Sequence, residues 1–190
     1  MIGHTELIGL LESSPVIAAI KNDQGLERCL SCGCKVVFVL YGSINSIADI
    51  VHQLKEAGKV VFVHIDLIDG LSAREAAVDF LVKNTRIDGI ISTKPALIKY
   101  ARSLNYLAIQ RFFVLDSLAL ENIRKADLND SADLIEILPG LMPKIIKKLS
   151  DELSKPIIAG GLISDKEDII TALAAGAIAI SSTNHDVWFM

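Results

Sequence analysis

The chain has 190 residues, 51% of them hydrophobic and 22% charged, enough for one well-cored domain over 1–190 and too little for two. Mean hydropathy is +0.44, yet its longest apolar runs, Val36–Gly42 and Ala172–Ile180, fall short of the about 18 residues of a membrane span, and the start carries Glu6 and no basic residues, unlike a secretory leader. A net charge of −4 excludes a generally basic nucleic-acid binder, and the apolar content excludes disorder. The expected location is therefore the cytoplasm, with no membrane contact.

In chain order, an amphipathic helix over Thr5–Glu12 comes first. Eight short apolar, β-branched runs follow: Val16–Ile20, Val36–Leu40, Val60–Ile65, Gly89–Ile91, Leu107–Val114, Asp133–Leu138, Pro156–Ala159 and Ile178–Ile180. The runs are continuous rather than alternating, as in strands covered on both faces. Helical segments lie between them. Asn45 or Ser46 opens a helix carrying Ile47, Ile50, Val51 and Leu54, stopped by Gly58. Ser72 with Glu75 has the spacing of a capping box. Pro95 and Pro143 sit in first turns, and Asp116 or Ser117 and Asp165 start two more helices.

A strand, a helix and two loops repeat at nearly constant spacing, and eight such units close naturally into a (β/α)8 TIM barrel. The chain is compact for that fold and stops at Met190, too soon after the last strand for a full final helix. The first helix then caps the barrel floor or fills that gap. The rival is a doubly wound open sheet, disfavoured because eight parallel units come without a Gly-rich first turn.

Three cysteines, Cys29, Cys32 and Cys34, crowd together. An odd cluster in a chain without a leader reads as reduced thiols. C-x-x-C-x-C spacing suits metal binding or redox work, but no further Cys pair or spaced His pair supplies a fourth ligand. The cluster reads as a helix end, and no metal or cofactor is expected.

Barrel function collects at the carboxyl ends of the strands, and polar residues gather there. Ala159–Ile163 (AGGLI) and Ala179–Thr183 (AISST) end strands seven and eight, where barrels hold phosphate on backbone N–H groups. Gly160 and Gly161 would let the backbone approach the anion, and Ser181, Ser182 and Thr183 would add donors. Asp66, Lys94, Arg111 and Glu136 face the rest of such a ligand. The cations would balance its charge and the carboxylates would accept from its hydroxyls. The same four could instead form an ion-pair ring across the mouth, or perform proton transfer on a sugar phosphate. His64, inside strand three, reads as a satisfied core histidine. Lys144, Lys147 and Lys148 share one helix face, with Lys155 at its exit. They read as a solvated face or as an RNA-contacting patch.

With these residues placed, the sequence resembles the glycerol uptake operon antiterminator regulatory family over essentially its whole length. The stretches that carry the resemblance are VFVHIDLIDGLS (Val61–Ser72), DGIISTK (Asp88–Lys94), IQRFFVLDS (Ile109–Ser117), IEILPG (Ile135–Gly140), IIAGGLI (Ile157–Ile163) and AISST with Trp188. The resemblance implies a barrel that senses glycerol 3-phosphate, binds a messenger leader RNA and lets transcription pass a terminator, without enzymatic activity. It further implies that Gly160, Gly161, Ser181, Ser182 and Thr183 hold the phosphate. The acidic composition requires the RNA-binding charge to be concentrated locally, on Lys144–Lys155, or assembled across a homo-oligomer. The alternative is a barrel aldolase or isomerase of a small phosphosugar, with Lys94 or Glu136 in proton transfer.

Overall fold

In the computed structural model, which describes residues 2–190, eight parallel strands form a closed barrel in sequence order. They are β1 Val16–Ile20, β2 Val36–Val39, β3 Val60–His64, β4 Gly89–Ser92, β5 Leu107–Phe113, β6 Leu134–Leu138, β7 Ile157–Gly160 and β8 Ala179–Ser182. The open-sheet alternative fails because β1 pairs with β8 as well as with β2, Ile17 lying opposite Ser181. The helices are α1 His4–Ser13, α2 Asp23–Ser31, α3 Ile47–Glu56, α4 Glu75–Asn84, α5 Pro95–Ser103, α6 Ser117–Leu128, α7 Pro143–Glu152 and α8 Lys166–Ala174. Among the described residues none is long and apolar enough to cross a membrane.

Strand periodicity divides the core in two. One set of side chains fills the barrel: Ile17 and Ala19 of β1, Phe38 of β2, Phe62 of β3, Ile91 of β4, Ile109 of β5, Ile158 of β7. Phe38 and Phe62 meet edge to face at 5.9 Å. Gly89 is the space they need, since a Cβ there would lie 2.5 Å from Phe62 and 2.3 Å from the Leu107 carbonyl oxygen. Leu7 and Leu11 of α1 belong to the same cluster and are fully buried. The first helix is thus the plug of the barrel floor. The second set, including Val37, Val61, Ile90 and Ile135, packs outward against the helices.

No α-helix follows β8 among the described residues. A 3-10 segment, His185–Phe189, takes its place and buries Val187 and Trp188. The Trp188 indole Nε1 donates to the Ser182 carbonyl at 2.8 Å, which fixes this tail against the last strand.

Asn22, Asp116 and Asp165 cap α2, α6 and α8, each accepting from the backbone N–H three residues on. One start differs from expectation. The Ser72–Glu75 capping box does not form, because α4 begins at Glu75 with Arg74 at its cap and no side-chain cap bond. β8 also runs two residues past its apolar stretch, to Ser182, because parallel pairing with β1 and β7 continues there.

Candidate functional site

Alternate residues point into the barrel, and one inward position near the carboxyl end of each strand forms a layer under the mouth. On β3, β5, β6 and β8 these are His64, Arg111, Glu136 and Ser181, all buried. Glu136 is fully buried and binds both neighbours. Arg111 Nε donates to its Oε2 at 2.6 Å, and the Ser181 hydroxyl donates to its Oε1 at 2.7 Å. Gly160 on β7 leaves room for this pair, since a Cβ there would sit 2.6 Å from Ser181 Oγ and 2.7 Å from Glu136 Oε1. The layer is therefore one hydrogen-bonded unit. Glu136 holds Arg111 in place, and the remaining guanidinium N–H groups are available toward the mouth.

Asp66 lies just above, on the 3-10 turn Ile65–Leu67. Its carboxylate accepts from Ser92 Oγ at 3.0 Å, the Thr93 amide at 2.8 Å and Thr93 Oγ1 at 3.0 Å. Burial works against its charge, but the Thr93 and Ser92 hydrogen bonds outweigh it and hold the carboxyl below its ordinary range. Lys94, the cap residue of α5, brings Nζ to 3.7 Å from Asp66 Oδ1 with about half its side chain exposed. Asp66 thus ties the β3 loop to the β4 loop and positions Lys94 at the rim.

His64 departs from expectation. Burial, with the Arg111 charge acting in the same sense, pushes its imidazole down to about 4, against a smaller pull from Asp66. The ring is neutral, and its buried Nδ1 has no hydrogen-bond partner. Asp66 Oδ2 lies 4.0 Å away, beyond hydrogen-bonding distance. A buried orphan nitrogen is costly unless something else satisfies it. The parity of β3, with Phe62 inward, was the sequence signal that His64 faces the mouth.

Across the mouth, β7 turns through Gly161 at φ +76° and Leu162 at φ +63°. Gly161 lies against Leu138, whose Cδ2 would be 3.1 Å from an added Cβ. A leucine in the left-handed region is uncommon and marks a constrained turn. Among the described residues the amides of Gly161, Leu162 and Thr183 have no protein acceptor. Thr183 follows β8 next door, exposed at the rim. Ser182 points elsewhere. Its hydroxyl donates to the Ile163 carbonyl at 2.7 Å and accepts from the Asn184 amide at 3.1 Å, so it braces the loops after β7 and β8. Ser181 lies one layer down and is spent on Glu136. Of the expected phosphate contacts, the Gly161 amide and Thr183 remain unclaimed, joined by the Leu162 amide that the sequence did not single out, while Gly160 is buried over Glu136 and Ser181.

The basic residues on α7 are not equally free. Lys147 pairs with Asp151 at 2.5 Å and Lys155 with Asp130. Lys144 and Lys148 are exposed and carry no carboxylate partner among the described residues. A second cationic surface went unread in the sequence because its residues are far apart in the chain. It is a cleft of about 520 Å³ between α5 and α6, lined in part by Lys99, Gln110, Arg111, Phe113, Asn122 and Lys125. No carboxylate lines it, and Phe113 is half exposed.

Residues 16–188 match the profile of a family described as glycerol-3-phosphate responsive antiterminator. The chain is 43% identical over 182 residues to the "uncharacterized protein YgcP" of Escherichia coli (strain K12), spanning 96% of this chain and 95% of that one. Its fold superposes on the glycerol uptake operon antiterminator regulatory protein of Listeria monocytogenes str. 4b F2365 with a TM-score of 0.87, at 35% identity over 91% of this chain and 94% of that one. A glycerol uptake operon antiterminator-related protein of Thermotoga maritima MSB8 gives a TM-score of 0.80 at 31% identity, over 92% and 98% of the two chains.

Proposed function

The chain belongs to the glycerol-3-phosphate responsive antiterminator family, and from that premise we propose that it is a non-enzymatic, cytoplasmic RNA-binding regulator gated by glycerol 3-phosphate. The observation that carries this reading is the pairing of two half-sites in one mouth. On one side are the unclaimed amides of Gly161, Leu162 and Thr183, and on the other are Arg111, Lys94 and the orphan His64. The phosphate binds the loops after β7 and β8, with Gly161 admitting it to the backbone while Gly160 makes room for the Glu136–Ser181 pair beneath. The glycerol hydroxyls reach His64 Nδ1 and Arg111. Glu136 orients Arg111 and Asp66 positions Lys94, while Ser181 and Ser182 brace the cradle.

Binding must favour the RNA-competent state by differential affinity. The loop after β8 is suited to this, because it leads directly into the tail held by Trp188. The leader RNA lies on α7 at Lys144 and Lys148, with Lys147 and Lys155 joining when their surface pairs exchange for phosphates. Calorimetry with glycerol 3-phosphate, followed by filter binding of a glycerol-operon leader with and without it, tests the whole reading. No saturable heat would end the sensor assignment, and ligand-independent RNA retention would end the gating.

The enzyme alternative has one observation in its favour, the Lys94–Asp66 couple at the rim. Lys94 is half exposed, however, and both Asp66 oxygens already accept from Ser92 or Thr93. A lysine that attacks carbonyls is normally desolvated. Borohydride trapping of a triose phosphate on Lys94 would reinstate it.

A further inference from the structure

The cleft of about 520 Å³ between α5 and α6 has polar walls where helices packed side by side are ordinarily apolar. On α6, Asn122, Lys125, Ala126 and Asn129 line it at i, i+3, i+4 and i+7, which is one continuous helix face. Lys99 lines it from α5. Both lysines and both asparagines are exposed, and no carboxylate lies among the lining residues to neutralise the cations.

The floor of the cleft carries an independent sign of a ligand. Gln110 points outward from β5 into a layer that is otherwise apolar here, among Ile90, Ala108 and Ile135, and it is only 2% exposed. Ser131 Oγ donates to its Oε1 at 3.1 Å and so fixes the amide. Its Nε2 has no acceptor among the described residues and opens on the cleft. A buried amide left half-bonded is costly, and an acceptor from outside the chain completes it. At the carboxyl end of β5, Phe113 offers the same cleft a half-exposed ring. A flat apolar face suits a planar ring system. The side-chain amides of Gln110, Asn122 and Asn129 suit the donors and acceptors along such a ring's edge, and the lysines suit a phosphate. A triose phosphate has no planar part, and a simple anion would use neither Phe113 nor the amides. The volume lies within the about 300–1,000 Å³ of small-ligand pockets.

We propose that the α5–α6 cleft is a nucleotide-binding site. The base stacks on Phe113 with its edge on the Gln110, Asn122 and Asn129 amides, and the phosphate lies between Lys99 and Lys125. The nucleotide is a free 5′-monophosphate or one unstacked residue of a single-stranded RNA, since both present the same base and phosphate to these groups. The site is separate from the loops of β7 and β8 and from the α7 lysines, so it stands without the effector assignment and its test needs no leader RNA.

The experiment titrates the full-length protein by calorimetry with the four ribonucleoside 5′-monophosphates, with ribose 5-phosphate and inorganic phosphate as references, and then with single-stranded tetranucleotides. At least one base should bind about 10-fold or more tighter than ribose 5-phosphate. Base-dependent binding of the monophosphate identifies a free nucleotide, and base-dependent binding of the tetranucleotide alone identifies RNA. Phe113→Ala should weaken binding about 5-fold or more. Asn122→Ala with Lys125→Glu, both on the exposed part of α6, should weaken it about 10-fold or more. Gln110→Leu should level the preference among bases while leaving a phosphate-dependent remainder. Saturating glycerol 3-phosphate should not displace the nucleotide. Binding no tighter than that of the two references in both arms would overturn the proposal, and so would unchanged affinity in the folded α6 double variant. Competition by glycerol 3-phosphate would place the nucleotide in the barrel mouth and overturn the cleft assignment. Where glycerol 3-phosphate itself fails to bind, the α6 variant alone decides.

Discussion

The neutral state of His64 has a consequence that can be measured without any ligand. The unfolded imidazole titrates near 6.5, while burial brings the native one down to about 4. Between those values the unfolded chain binds more protons than the folded one. The contribution to stability is therefore complete above about pH 7, falls as pH drops through 6.5, and levels off below about 4. At pH 5 the native ring is still largely neutral, while the unfolded ring has gained about 2 kcal/mol from protonation. Other groups titrate too, Asp66 among them, so the comparison is with His64→Gln. Urea unfolding of both proteins at pH 7.5 and pH 5 should show the wild type losing about 2 kcal/mol more than the variant. A difference constant to within about 0.5 kcal/mol would mean that the ring is not held neutral, and the orphan nitrogen would lose its meaning as a ligand contact.

Three further outcomes are expected. Gly161→Asp places a carboxylate against the proposed phosphate and should abolish the calorimetric signal for glycerol 3-phosphate; Gly161→Ala, straining the left-handed turn by about 1–2 kcal/mol, should bind more weakly but measurably. Lys144→Glu with Lys148→Glu should weaken leader RNA binding across sequences and lower the salt slope by about 2 in gel shifts, leaving ligand affinity alone; a loss appearing instead in Lys99→Glu with Lys125→Glu would move the RNA to the α5–α6 cleft. Gly89→Ala forces a Cβ against the Leu107 carbonyl and Phe62 and should cost about 1–3 kcal/mol in urea unfolding.

The barrel was legible because each unit carries its own signal. A strand buried on both faces must be continuously apolar, and helix caps punctuate the intervals. The floor plug was half legible. Leu7 and Leu11 announce an amphipathic helix, but only the closed barrel shows that the space they fill is the centre of the ring. The failed Ser72–Glu75 box illustrates the opposite limit. Spacing proposes a cap, while the path from Ile68 through the Ser43–Asp69 bridge decides where the helix begins.

The site was legible as a set of strand ends and illegible as a division of labour. Gly160, Ser181, Glu136 and Arg111 were all gathered from position, yet nothing in one dimension says that Glu136 consumes the Ser181 hydroxyl and one face of Arg111. That network decides the chemistry. On the proposed reading the anion sits outward of the Glu136–Arg111 pair, on the 161–162 turn and Thr183. Arg111, already compensated by Glu136, would then meet the uncharged hydroxyls rather than the dianion. Polarity in the mouth is thus graded from the unclaimed amides of the β7 and β8 loops to the neutral His64 on β3. A ligand with a phosphate at one end and a polyol at the other, as proposed, would satisfy both ends at once.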